Sequence, residues 1–313
     1  MRGSDKAVVA GALLALGTVS HVPARADGFG LAVPAASVPP APARVDEAGI
    51  GGFLGEWART VAAARATQPS WSSPVVTTTG LLEQRVRFDI QQQNAKGGQQ
   101  TTGFDGGRGV DLIVGPTTEI QIAAAPYLTR TAPDGKGDAS GLADWPFLRL
   151  EQRLASSPAS AGNYVLTAWV QAQAPTGIAP FGSHAWTFQP TLAFGKGWGD
   201  FDIQGTVSAT LPASRDAVLG HPMQSNVAFQ YNLWTLLWPE LEVSWTYYPD
   251  GARGGRNTVY LAPGLVVGKI PLAHDLYATF GAAYQAAVTP NFATGPRTPG
   301  YQNAVLFTSR LTF

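Results

Sequence analysis

From Gly80 to Phe313, polar and apolar residues alternate with a period of two, in repeated stretches of the length expected of strands that face two different solvents. The first stretch sets Leu82, Val86, Phe88 and Ile90 on one face and Glu83, Arg85, Arg87, Asp89 and Gln91 on the other. The same division recurs with Val110, Leu112 and Val114 opposite Asp111, with Ile120, Ile122 and Leu128 opposite Glu119, Gln121 and Tyr127, and with Leu148, Leu150 and Leu154 opposite Arg149, Glu151 and Arg153. It ends with Val305, Phe307, Leu311 and Phe313 opposite Gln302, Thr308 and Arg310, and the stretches total twelve. Long links at Asn94 to Gly107 and Thr131 to Asp144 alternate with short ones at Gly115-Pro116-Thr117, Gly195-Lys196-Gly197 and Lys269-Ile270-Pro271. An even strand count with alternating long and short links predicts an all-β fold, a transmembrane antiparallel β-barrel of twelve strands over residues 80–313, apolar outside and polar inside. Pro126, Pro190 and Pro263 fall inside predicted strands, where each removes a ladder hydrogen bond and calls for a bulge or a shifted boundary.

The chain before Gly80 has a different character. Residues 1–26 begin with Arg2 and Lys6, run apolar from Ala7 to Val19 and end in Ala24-Arg25-Ala26, the pattern of a cleaved secretory signal peptide. Residues 27–79 read as a Pro/Ala-rich periplasmic linker or arm, extended around Val38-Pro39-Pro40-Ala41-Pro42. Within it, Gly52 to Thr67 can form a short helix with Leu54, Trp57 and Val61 on one side, able to tuck into a neighbouring cavity.

Composition narrows the chemistry. The 313 residues carry 21 Lys+Arg against 21 Asp+Glu and no cysteine, which removes thiolate sites and disulfides and gives no basic footprint for nucleic acid. After the leader the histidines are His184, His221 and His274, and none stands two residues from a serine on one strand face as a hydrolase on a barrel wall would require. Asp134, Asp138 and Asp144 share one expected loop, in which a solvated turn outweighs a protease rim or a calcium site. No catalytic residue, cofactor or metal is therefore assigned. The informative set points inward: Glu83, Arg85, Arg87, Asp89, Glu119, Arg149, Glu151 and Arg153, whose opposite signs should pair as a charge ladder lining the lumen. Trp186, Trp198, Trp234, Trp238, Trp245, Tyr247 and Tyr248 lie near strand ends, as an interfacial aromatic girdle would.

Thr79-Gly80-Leu81-Leu82-Glu83 opening the first strand, Ala174-Pro175-Thr176-Gly177 closing the fifth, and a final Phe together resemble the outer-membrane β-barrel transporter family named for the meta pathway of phenol degradation. The resemblance spans roughly Thr77 to Phe313. It implies a bacterial outer-membrane channel or passive transporter for small solutes, aromatic or hydrophobic ones among them, with membrane lipid and solute as partners. Val305, Phe307, Leu311 and Phe313 also resemble the signal read by the outer-membrane assembly machinery. The alternatives are a closed structural or adhesion barrel and an outer-membrane hydrolase.

Overall fold

The structure is a computed structural model and describes residues 50–106, 108–273, 275–288 and 300–313. The leader, the linker up to residue 49, His274 and most of the last expected loop lie outside the described residues.

Twelve antiparallel strands follow one another around a closed barrel. They are β1 (Arg85–Asn94), β2 (Gln100–Phe104 and Gly109–Gly115), β3 (Thr118–Ala123 and Tyr127–Thr131), β4 (Ala139–Leu142 and Trp145–Ser157), β5 (Tyr164–Ala174) and β6 (Thr187–Trp198). Then come β7 (Phe201–Ala209, continued by Leu211–Pro212), β8 (Met223–Tyr231), β9 (Leu237–Tyr248), β10 (Arg256–Ala273), β11 (Leu276–Ala287) and β12 (Asn303–Thr312). The ring closes where β12 pairs with β1, from Arg85 opposite Thr312 to Asn94 opposite Asn303. Closure leaves no exposed sheet edge, the condition for a sheet to cross lipid.

Parity sorts the side chains as the alternation predicts. Leu150, Leu154 and Phe307 are more than half exposed on the outer wall, whereas Arg149, Glu151, Thr308 and Arg310 beside them are buried inside. Trp186, Trp198, Trp234 and Trp245 are exposed outside. Trp238 and Tyr248, expected in the same girdle, are buried instead, and Trp238 packs in the inner cluster with Trp71. Parity explains Trp238, which shares the inward face of β9 with Glu240 and Glu242.

Five boundaries move. The first strand opens at Arg85, not Gly80, and Leu82 is buried with Val61, Ala64 and Ile113 rather than facing lipid. The expected loop after β1 contracts to a turn at 95–99 because Gln100–Phe104 pairs back onto β1, and Ala139–Leu142 likewise shortens the loop that follows β3. Gly195-Lys196-Gly197 and Lys269-Ile270-Pro271, read as turns, lie within β6 and β10. Glycine at 195 and 197 serves close packing: a Cβ on Gly195 would stand 2.5 Å from the Trp71 ring, and one on Gly197 would stand 2.2 Å from Asn163 Nδ2.

The three prolines act differently. Pro126 separates the halves of β3. Ile122 pairs with Val110 and Tyr127 with Phe104, so β2 takes one more step than β3 between the two pairings. A one-residue offset reverses faces. Tyr127 is accordingly exposed and Leu128 lines the lumen, the reverse of the expected assignment. Pro190 lies beside the break that separates Phe201–Ala209 from Leu211–Pro212. Pro263 falls where the β10–β11 ladder skips from Leu261 to Gly264 without losing register.

Helix α1 (Ile50–Ala66) lies against the barrel end that carries the short turns. Trp57, Val61 and Ala64, spaced three and four apart, form its packed stripe, while Leu54 and Phe53 are exposed. Trp57 Nε1 donates to the Ile113 carbonyl at 2.6 Å. Arg153 donates to the Ala64 carbonyl at 2.8 Å, a cation placed at the negative end of the helix.

Because Phe307 faces outward midway along β12, Phe307→Arg is expected to destabilise the folded barrel by about 2–4 kcal/mol. A lowered midpoint in urea, followed by the gel shift between folded and heat-unfolded forms, checks this, and an unchanged midpoint contradicts the outward placement.

Candidate functional site

Between α1 and β1 the chain turns into the barrel instead of starting the wall. Residues 68–84 form a loop inside the lumen whose neck is tied by Gln68: its Nε2 donates to the Leu82 carbonyl at 2.8 Å, and its Oε1 accepts from the Leu82 N–H at 3.0 Å. Trp71, Ser72, Ser73, Val75, Thr77, Thr79, Leu81 and Leu82 are all buried. The described part of the expected arm is thus packed inside and beneath the barrel. Several of its polar side chains reach the wall, Ser73, Thr78, Thr79, Glu83 and Gln84 among them, but at the loop's inner end the contacts run through its backbone, and the wall supplies side chains to answer it.

Those side chains fall into two groups of opposite charge. On β9, Glu240 accepts from the Val75 N–H at 3.1 Å, and Glu242 accepts from the N–H groups of Val76 and Thr77 at 2.7 and 2.5 Å. Across the loop, Arg87 donates to the Val75 carbonyl at 2.6 Å, and Arg310 donates to the carbonyls of Ser73 and Pro74. Hydrogen bonds to ionised groups in a low-dielectric interior are about twice as strong as neutral ones. Gln204 and Thr167 complete the hold, Gln204 donating to the Ser72 carbonyl at 2.8 Å and accepting from Thr79, and Thr167 donating to the Gly80 carbonyl at 2.5 Å.

The inward charges of the first strands form two connected sets. Glu83 pairs with Arg85, Arg85 with Asp111 at 2.7 Å, and Arg149 reaches Asp111, Glu119 and Glu151 at 3.7, 3.0 and 3.1 Å. Arg87 and Arg108 share Asp89, each at 2.9 Å. Glu119 and Glu151 face each other directly across the β3–β4 ladder, and Arg149 is the cation common to both. Arg153 makes no ion pair in this network; it bonds the end of α1 and the Pro116 carbonyl. Asp111, Arg108, Arg310, Glu240 and Glu242 were missing from the sequence reading of the site. Asp111, Arg310, Glu240 and Glu242 have inward parity on their strands, whereas Arg108 lies in the irregular stretch between the halves of β2, where parity gives no direction. Glu240 and Glu242 have no cation opposite them on a neighbouring strand, which is the signal that something else in the lumen answers them.

Above the loop the lumen is divided. A cavity of about 540 Å³ is lined by Gln121, Gln171, Gln189, Gln224 and Asn226, with Thr78 and Arg108 at its floor. A second, of about 390 Å³, has Phe181, Tyr248, Tyr260 and Tyr301 in its walls, with Arg130 stacked over Phe181. Phe181 borders both. Its loop is anchored by Asp144, which accepts from the N–H groups of Gly177 and Ser183 at 2.9 and 2.7 Å. Asp134 and Asp138 instead close their own turn, so the three aspartates do not converge. His184 is exposed, and His221, also exposed, is held by Asp250 at 2.7 Å between two loops. Val305 is half-buried on the outer parity of β12, and Phe307, Leu311 and Phe313 are exposed there.

No protein-family model matches the chain, and no curated protein matches it. Among solved structures, the COG4313 outer membrane channel from Pseudomonas putida F1 superimposes with a TM-score of 0.52 at 14% identity, covering 78% of this chain and all of that one. At that identity the likeness shows a shared outer-membrane barrel fold. OmpF of Salmonella typhi in complex with daunomycin gives a TM-score of 0.33 at 8% identity, over 73% of this chain and 96% of that one.

Two outcomes are expected from this geometry. Arg149→Ala leaves Glu119, Glu151 and Asp111 without their common cation and should cost about 3–5 kcal/mol, read as a lowered urea midpoint in detergent, whereas Arg149→Lys should recover part of the loss. His221 is raised above its ordinary value chiefly by its hydrogen bond to Asp250. The His221–Asp250 link is therefore fully present below a pH of about 6.5 and is lost as pH rises through the elevated pKa. Tryptic cleavage at Arg215 and Arg253, beside the two linked loops, should quicken over that rise relative to a His221→Ala variant. Parallel pH profiles for the two proteins would contradict the link.

Proposed function

We propose that this protein is a bacterial outer-membrane channel that passes small solutes passively, with its lumen closed at rest by the loop of residues 68–84. The observation that carries the reading is the construction of the lumen: polar side chains line a path above the loop, and the loop blocks it through backbone hydrogen bonds to wall side chains, joined by a small apolar contact of Trp71, Val75 and Leu81 with Val165, Trp238 and Val266. Such a contact can be broken and remade without unfolding the barrel. Cavities with amide, hydroxyl and tyrosine walls support small solutes, aromatic ones among them, as the family resemblance implies.

In this reading residues 1–26 are removed on export and the end bearing the short turns and α1 faces the periplasm. The charge ladder of Glu83, Arg85, Arg87, Asp89, Glu119, Arg149 and Glu151 narrows the lumen on one side, and Val305, Phe307, Leu311 and Phe313 present the outer face that the assembly machinery engages. Lipid surrounds the apolar band.

Planar-bilayer recording of the full chain tests the channel. Weakening the loop from its two sides, with Glu240→Gln/Glu242→Gln on the acidic side and Gly195→Val beneath Trp71, should raise single-channel conductance severalfold in folded protein. Conductance absent from the wild type and from both variants would make this a closed structural barrel.

A further inference from the structure

We infer that the loop occupies a binding site for small zwitterionic solutes, α-amino acids and short peptides, whose ammonium and carboxylate ends would replace the loop's backbone N–H and C=O groups. The inference builds on the channel reading and names the solute class that the same lumen would take.

Val75 gives the spacing. Its N–H meets Glu240 and its C=O meets Arg87, so the acidic and basic walls stand one peptide unit apart. An α-amino acid carries its ammonium and carboxylate on a single carbon and spans a comparable gap. The acidic wall continues through Gln230, which donates to Glu240 at 2.7 Å, and Gln204, whose Nε2 stands 2.9 Å from Gln230 Oε1 and 3.0 Å from Asp202 Oδ1 and shares its two hydrogens among these and the Ser72 carbonyl. Among the described residues, no ion pair joins Asp202, Glu240 or Glu242 to a cation.

Arg87 keeps Asp89 as its partner, but with the loop drawn aside Glu242 on one wall and Arg310 on the other would hold charge with no answering group, which is strongly unfavourable. A metal cation would answer the carboxylates alone, an anion the arginines alone, and a neutral aromatic neither. A zwitterion answers both. The walls also have capacity the loop does not use: Arg87 Nη1 and Asp202 Oδ2 are buried and without a hydrogen-bond partner. Access is from the larger cavity, whose floor is Thr78 and Arg108 beside the loop tip. Since the loop competes from within the same chain, at an effective concentration of roughly millimolar order, solutes are expected to bind weakly and saturably.

The chain has no cysteine, so Ser72→Cys places a unique thiol on a buried residue of the loop. Thr77→Cys supplies a second reporter, where the native hydroxyl has no hydrogen-bond partner. The full chain, folded in detergent, is treated with a small thiol-specific reagent in the presence of glycylglycine, of N-acetylglycinamide or of phenol. Glycylglycine should accelerate modification of either thiol by about fivefold or more with saturation, the other two by less than about twofold, as displacement by mass action requires. Glu242→Gln should abolish the difference between glycylglycine and its uncharged counterpart.

Equal rates with glycylglycine and N-acetylglycinamide would overturn the inference, as would acceleration by phenol alone, which would mark an aromatic gate. Selective acceleration without any conductance change would overturn the channel reading and leave the binding site standing. Increased conductance in the loop variants with no zwitterion effect on the thiols would do the reverse.

Discussion

A backbone placed inside a barrel must have its hydrogen bonds answered, and here they are answered by charged side chains of the wall. The arrangement of the lumen follows from that constraint. Carboxylates gather on β9 because the loop turns its N–H groups toward that strand; arginines gather on β1 and β12 because its carbonyls point the other way. The wall then needs small residues where the loop presses closest. Gly195 and Gly197 on β6 both lie against the Trp71 ring, and Gly281 on β11 meets Val75.

The remaining inward charges are held to the same standard. Five carboxylates and four arginines from β1 to β4 and the residues just before β1 pair among themselves, and Arg149 is common to three acids. Removal of a buried charge from such a set costs more than the bond it made, because the partners stay behind. Arg153 differs, since its partners are carbonyl and hydroxyl oxygens of α1, the residues just after it and the turn beneath, and it ties the helix to the barrel without balancing charge.

Period-two alternation made the twelve strands, the outward Phe307 and the inward Arg149 legible in the sequence, because side-chain direction is all that alternation encodes. It failed at Tyr127 and Leu128, where a one-residue offset at Pro126 reverses the faces: the proline marks an irregularity there, but not that the parity changes across it. Gly195 and Gly197 read as a turn because glycine permits both tight turns and close contacts, and alternation does not tell these apart. The inner loop was hidden for a deeper reason. At its inner end the contacts are made largely by peptide groups, which every residue carries, so Val75 and Val76 look no different from linker. Its trace lies on the other side of the contact, in the unmatched pair Glu240 and Glu242 and in the inward Arg310.

The Gln68–Leu82 tie has a kinetic consequence. Both ends of the inner loop leave through the same rim, so the stopper is tethered: it can be drawn out without passing a chain end through the barrel, and its travel is limited by its own contour length. Return is then a unimolecular event whose rate does not depend on how many copies the membrane holds. In the proposed channel, a pore of this design would reset itself after each passage, as a sprung valve does, with no second protein needed to reseat it.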